Sequence, residues 1–173
     1  MANAVTIRPY QDADVPEMAA AAQESMAELS PWMPWAHENY SETDAAAWVQ
    51  ATREARASGE MYDFAIVDAG GRYAGGCGIN HINRPDAVAN LGYWVRTSRA
   101  GCGIVTAAVR LLVPWTFANT PLNRLEIVVA VGNERSHRVA TRVGAQRDAV
   151  LRKRILLRGI AHDAVLYSIV RPD

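Results

Sequence analysis

Asn90-Leu91-Gly92-Tyr93-Trp94-Val95-Arg96, then Thr97-Ser98-Arg99-Ala100-Gly101-Cys102-Gly103, then Ile104-Val105-Thr106-Ala107-Ala108-Val109-Arg110-Leu111-Leu112 and on to Phe117: this stretch decides the fold. Tyr93, Trp94 and Val95 are strand formers, and small residues ahead of an Ala/Val/Leu run mark a helix start. A strand feeding a glycine turn into a helix gathers unpaired N–H groups and the positive end of the helix dipole in one place, which suits a phosphate. Gly101 and Gly103 let the backbone approach an anion closely, with Arg96 and Arg99 as flanking positive charge. A Gly-x-Gly pair alone reads equally as a plain helix-start turn. A dinucleotide fingerprint needs a third glycine where Thr106 stands, and a Walker-type loop with its lysine is absent, which leaves a pyrophosphate cradle of another kind.

Outward from this core, Val5 to Arg8 reads as a strand, and Asp12 or Asp14 caps a helix to about Ser25. The loop Pro31-Trp32-Met33-Pro34-Trp35 is either an apolar plug or a wall of a pocket. Ser41 or Thr43 caps a helix from about Asp44 to Ala57, which Gly59 ends. Strands follow at Tyr62–Asp68 and Tyr73–Asn83 around the Ala69-Gly70-Gly71 turn, then at Ala87–Arg96. Glycines 75, 76 and 78 inside the second of these suggest a bulge or a close backbone approach. The central helix contains Pro114, so a kink or an early stop near Val113 is expected. Arg124 to Val131 is a β-branched strand, Asn133 opens a short helix that Gly144 ends, and Ala145–Leu157 and Ile160–Val170 are the last two strands. The order β-α-α-β-β-β-α-β-α-β-β predicts an α/β chain with a mixed sheet and helices on both faces.

The chain has 173 residues, half of them hydrophobic, and reads as a single domain over residues 1–173. Eighteen basic and eighteen acidic side chains cancel, so no overall charge points to nucleic acid or an anionic membrane. No run has the length of a membrane span and the N-terminus lacks a signal-peptide pattern. Cys77 and Cys102 form neither a metal-ligand spacing nor a disulfide framework. A cytoplasmic protein without a metal is expected.

The run Leu91-Gly92-Tyr93-Trp94-Val95 leading to Ser98-Arg99-Ala100-Gly101-Cys102-Gly103-Ile104 resembles the acetyl-CoA-binding core of the GNAT superfamily of N-acetyltransferases, within it the RimJ/RimL-like ribosomal-protein N-terminal acetyltransferases. Thr6-Ile7-Arg8-Pro9, Asp12-Ala13-Asp14, Leu29 to Trp35, and Asn133 with Ser136 follow the family's order, and the resemblance covers nearly the whole chain. It implies the GNAT-type acyl-CoA N-acyltransferase fold, with about seven strands. It implies that the adenosine pyrophosphate lies on Arg99, Ala100, Gly101, Cys102, Gly103 and Ile104, with Thr106 behind, and that pantetheine pairs along Tyr93, Trp94, Val95 and Arg96. Strand-like pairing of pantetheine amides requires a splay between this strand and the one from Leu125 to Val131. Asn133 becomes a pantetheine contact and Ser136 a proton donor to the thiolate; read from the residues alone, they cap a helix. The Trp32 and Trp35 loop becomes a wall of the acceptor site, and a homodimer is implied.

Acyl transfer needs a neutral amine. Deprotonating a lysine near pKa ~10.4 costs about 4.6 kcal/mol at pH 7, against about 1 kcal/mol for an α-amine near ~7.8, so an α-amine makes less demand on a base. The family's acidic position in the strand after the serine helix falls at about Ile155, which takes no proton. Replacements are Glu126, His81 or a water on backbone carbonyls; Glu126 equally pairs with Arg124 or Arg96, and His81 equally stands as a surface or satisfied histidine. His137 is expected to face solvent, and a covalent role for Cys102 is not expected. The cluster Arg147, Arg152, Lys153, Arg154 and Arg158 suits an acidic protein substrate or a charged, aggregation-resistant sheet edge. The expected activity is acetyl transfer from acetyl-CoA to a primary amine by direct attack in a ternary complex, with a backbone N–H near Val95 polarising the oxyanion. The acceptor is a protein N-terminus or a small-molecule amine; a deep closed pocket favours the latter, an open groove the former. A non-catalytic acyl-CoA sensor is the rival from another class.

Overall fold

A computed structural model describes residues 4–173, and in it seven strands form one sheet in the order β1-β2-β3-β4-β5-β7-β6. The strands are β1 (Val5–Arg8), β2 (Tyr62–Asp68), β3 (Tyr73–Asn83), β4 (Val88–Val95), β5 (Arg124–Ala130), β6 (Gln146–Leu157) and β7 (Ile160–Val170). The helices are α1 (Val15–Glu24), the single turn α2 (Met26–Leu29), α3 (Glu42–Ser58), α4 (Ile104–Asn119) and α5 (Glu134–Arg142). All neighbouring strands pair antiparallel except β4 and β5, which run parallel around the α4 crossover.

Period-two alternation assigns the two faces. Phe64 and Ile66 of β2, Cys77 and Ile79 of β3, Leu91 of β4, and Leu125, Ile127 and Val129 of β5 pack against Ile104, Val105, Ala108, Val109 and Leu112 of α4. The opposite face carries Ala65 of β2 and Trp94 of β4, packed with Met18, Ala19 and Ala22 of α1, Ala45 and Val49 of α3, and Tyr10, Tyr40 and Tyr73. On this second face β3 offers Gly76, Gly78 and Asn80, and β4 offers Gly92 and Asn90, so the sheet beyond the helices is bare or polar. That bare area becomes the floor of a cavity.

Ser41 opens α3 with its N–H donated to Asp44 Oδ2 at 2.8 Å, and Gly59 closes it in the left-handed region. Pro114 neither stops α4 at Val113 nor prevents a further turn: the helix runs to Asn119. An interior proline costs about 3 kcal/mol. Beyond it lie Phe117, buried, and Trp115, whose ring meets Phe64 edge-on at 4.8 Å. Each large apolar side chain buried returns about 1.5–3 kcal/mol, enough to hold the last turn in place.

Candidate active site

The parallel β4–β5 ladder has three rungs, Val88 with Arg124, Ala89 with Leu125 and Asn90 with Glu126, and then the strands part. From Leu91 to Val95 β4 stays paired to β3 while its other edge faces the opening. The parting makes a cleft of about 470 Å³, lined by Trp32 and Met33 on one side, Tyr93 to Val95 along the edge, and Gly132 to Ser136 opposite. An unpaired strand edge needs partners for its N–H and C=O groups, and an extended amide chain supplies them.

At the upper end of this edge Gly101 and Gly103 both adopt φ +77°, a conformation that suits glycine, and nothing lies within 4 Å of a Cβ built on either. The first ladder bond of α4 runs from Ala107 N to Gly103 O, so the N–H groups of Ile104, Val105 and Thr106 precede the ladder. Gly101, Cys102 and Gly103 are exposed, whereas the Ile104 side chain is in the core and only its main chain can face a ligand. The expected flanking charge is corrected: Arg96 is bound to Glu24 at 2.8 Å and Glu17 at 3.1 Å, and Arg99 to Asp68 at 2.8 Å. Carboxylates offset both guanidinium groups, so main-chain amides and the α4 dipole are what the turn itself offers an anion.

Across the cleft, Asn133 Oδ1 accepts from Ser136 N at 3.2 Å, which is the helix cap read from the residues alone. The Ser136 hydroxyl lies 3.0 Å from the Tyr93 hydroxyl, and Tyr93 also donates to the Ser136 carbonyl at 3.2 Å. Burial pushes the Tyr93 phenol up to about 12 against the smaller, lowering effect of Ser136, so the pair stays protonated at neutral pH. The tyrosine was legible as a strand residue but not as the serine's partner, because 43 residues separate them. His137 does not face solvent: its Nδ1 is 3.0 Å from the Tyr167 hydroxyl.

On the other face of β4 is a larger cavity of about 950 Å³. Its floor follows the register. One row runs Asp63, Gly78, Gly92 across β2, β3 and β4; the next runs Asn80, Asn90, Glu126 across β3, β4 and β5. Asn90 donates to Asn80 at 2.8 Å. Trp35, Tyr40 and Trp48 form the walls, and Trp35 meets Trp94 edge-on at 5.3 Å. The rim is open: His37, Trp48, His81 and Arg154 are all exposed.

The tryptophan loop therefore divides its labour. Trp35 lines the large cavity, whereas Trp32 lines the smaller cleft near Gly132, so the two do not form one wall as expected. Glu126 sits on the last paired rung before the strands part, inside the large cavity, with Arg124 Nε at 2.8 Å. His81 also lines the cavity, at the irregularity that interrupts the β3–β4 ladder between Asn80 and Asn83, and Ile155 stands beside Arg154 in the same lining. Tyr93, Trp94 and Met33 border both spaces, so the two meet at the splay. Asp63 was missed; the signal was an acid directly ahead of the apolar run Phe64-Ala65-Ile66-Val67, opposite a glycine.

A family model described as an acetyltransferase (GNAT) domain matches residues 4–146. YdaF of Bacillus subtilis (strain 168), provisionally named a ribosomal N-acetyltransferase, is 30% identical over 178 residues, covering 98% of this chain and 92% of that protein. The ribosomal-protein-serine acetyltransferase of Escherichia coli (strain K12) is 30% identical over 90 residues, 52% of this chain and 50% of that one. Among solved structures, Mycobacterium smegmatis RimJ in complex with CoA-disulfide superposes with a TM-score of 0.89 at 26% identity, covering 98% of this chain and 83% of that one.

Proposed function

The chain belongs to the acetyltransferase (GNAT) domain family, and from that premise we propose that it moves the acetyl group of acetyl-CoA to the α-amine of a protein N-terminus by direct attack in a ternary complex. The observation that carries this reading is the parting of β4 from β5, with a hydroxyl pair on one side and an open, aromatic-walled cavity on the other. Support for a protein acceptor comes from the names of two relatives and from the exposed rim, which admits a chain leading outward. A homodimer working in the cytoplasm completes the reading; exposed Leu156 and Ile160 at the β6–β7 turn give it an apolar contact surface.

The residues fit the donor. The main-chain amides of Gly101 to Thr106 would hold the diphosphate, the free edge of Tyr93 to Val95 the pantetheine amides, and Asn133 would stand at the far wall. Acetyl-CoA supplies an activated thioester carbonyl. A backbone N–H near Val95 would polarise the carbonyl oxygen. The Ser136–Tyr93 pair would hydrogen-bond the departing sulfur and pass it a proton. Glu126, on the last rung, would draw on a water at the cavity floor.

Isothermal titration should show acetyl-CoA binding, and thiol should be released when a peptide with a free N-terminal serine or alanine is added. Binding without release to peptides or amines would identify a sensor, and no binding would end the reading. Ser136→Ala should lower kcat about 10–100-fold with little change in acetyl-CoA affinity, measured by steady-state thiol release. An unchanged kcat would remove Ser136 from the mechanism.

A further inference from the structure

Among the described residues, Asp63 Oδ2 is the only buried side-chain nitrogen or oxygen atom without a hydrogen-bond partner. Asp63 is 8% exposed, at the second position of β2, on the face of the large cavity. A Cβ built on Gly78 would overlap its Oδ1, so the carboxyl group leans across β3 into the space that glycine leaves. The next residue in that row is Gly92 of β4, one strand spacing of about 5 Å further on. No side chain intervenes between the carboxyl group and the strand that borders the donor cleft.

The nearby cation does not answer this charge. Arg56 of α3 donates Nη2 to the Asp63 carbonyl at 2.8 Å and lies 4.5 Å over the Phe64 ring, and no ion pair to the Asp63 carboxyl is formed among the described residues. A buried carboxylate facing a cavity, unpaired and reached over bare backbone, is a site for a cation that arrives with a ligand. Trp35, Tyr40 and Trp48 line the same cavity, and aromatic walls also favour a cation.

We propose that Asp63 is a catalytic residue that receives the acceptor: Oδ2 binds the incoming primary ammonium and takes one of its protons, so that the amine enters the splay neutral. This rests on the acetyl-transfer reading above and deepens it. The ammonium and the carboxylate become a neutral amine and a carboxylic acid. The amine nitrogen then forms a bond to the acetyl carbon as the carbon–sulfur bond breaks, and the nitrogen's surplus proton goes to the sulfur through the Ser136–Tyr93 hydroxyls. Asp63 returns its proton to solvent through the open rim.

The titration of the site agrees with its geometry. Burial pushes the Asp63 carboxyl up to about 7, against a smaller lowering by Arg56. Transfer from an α-ammonium near ~7.8 is then disfavoured only about sixfold, against roughly 3000-fold for an ordinary glutamate near ~4.3. Tyr10, on the same face of the sheet, and Cys77, on the opposite face, are both pushed up by burial and stay neutral across the working range. The remaining groups on the cavity wall are His37, Asp44, His81, Glu126 and Arg154.

The test uses the full chain, acetyl-CoA and a hexapeptide with a free N-terminal serine. Asp63→Asn should bind acetyl-CoA as the wild type does, yet lose about 100-fold in kcat/KM at pH 7, the deficit narrowing to about tenfold or less at pH 9, where the free amine is abundant. Should Asp63→Asn misfold, Asp63→Ser vacates the carboxyl without added volume and reads the same deficit. A wild-type rate at pH 7, or a deficit equal at every pH, overturns the assignment. A wild type that binds acetyl-CoA but acetylates no peptide overturns the acceptor reading and this inference together; no acetyl-CoA binding overturns the donor reading instead.

Discussion

At pH 8, Asp63→Asn should unfold in urea with a free energy about 2–4 kcal/mol above that of the wild type, while at pH 4 the two should unfold alike. The Asp63 carboxyl titrates near 3.8 when exposed and is raised to about 7 in the fold. The folded chain therefore holds a proton that the unfolded chain has released. Whatever stability that proton confers is complete below the lower value and is lost as pH rises through the upper one. A shift of this size corresponds to about 4 kcal/mol lost between roughly pH 4 and pH 7. Asparagine carries no charge to desolvate, and its amide meets the same lack of partners as the protonated carboxyl, so the two proteins match at low pH. Urea curves at the two pH values check this, and a difference between the proteins that does not change with pH would refute the burial argument. A mutation that stabilises the fold while disabling the enzyme is what a site-specific charge, kept for chemistry, should produce.

The second large effect is at Gly75. A Cβ there would overlap the Trp94 carbonyl oxygen and sit 2.8 Å from Val95 Cα, both main-chain atoms that cannot rotate away. Gly75→Ala should destabilise by about 3 kcal/mol or more, lowering Tm by about 6–12 °C. Relief requires β3 and β4 to separate at their last rung, Gly75 with Val95, which also displaces the edge that lines the cleft. Acetyl-CoA affinity should fall with it. Gly92→Ala is the control, because its nearest atoms are 3.8 Å or further away. Equal melting temperatures for Gly75→Ala and the wild type would show that the strands yield more easily than their pairing implies.

Much of the architecture was legible because its signals are local. The ends of β2, β3 and β7 fall where turn residues interrupt apolar runs, and Gly59 and Ser41 mark the ends of α3. The glycine turn ahead of α4 was legible for the same reason. What escaped depends on partners distant in the chain. Arg96 looked like a phosphate ligand until Glu17 and Glu24 were found against it, 79 and 72 residues away. Trp32 and Trp35, three residues apart, line different spaces because a loop has no fixed period. Pro114 misled because a propensity was weighed without the packing of Trp115 and Phe117. Asp63 was passed over because its meaning lies in Gly78 and Gly92, which reach it only through the sheet register.

The turn after β4 is fastened to α1 and α2. Thr97 N donates to Ser25 Oγ at 2.8 Å, Ser98 N to Glu24 at 2.7 Å, and Thr97 Oγ1 to Glu28 at 3.1 Å, beside the Arg96 pairs. Past the tryptophan loop, Tyr40 O accepts from Gln23, and at the loop's start Ser30 O accepts from Arg158. Tethered at both ends, the tryptophan loop holds Trp35 edge-on against Trp94, which ties one wall of the large cavity to β4. The exposed rim of that cavity includes Trp48 and His81, and bulky groups placed there should slow acetyl transfer while acetyl-CoA binding stays unchanged.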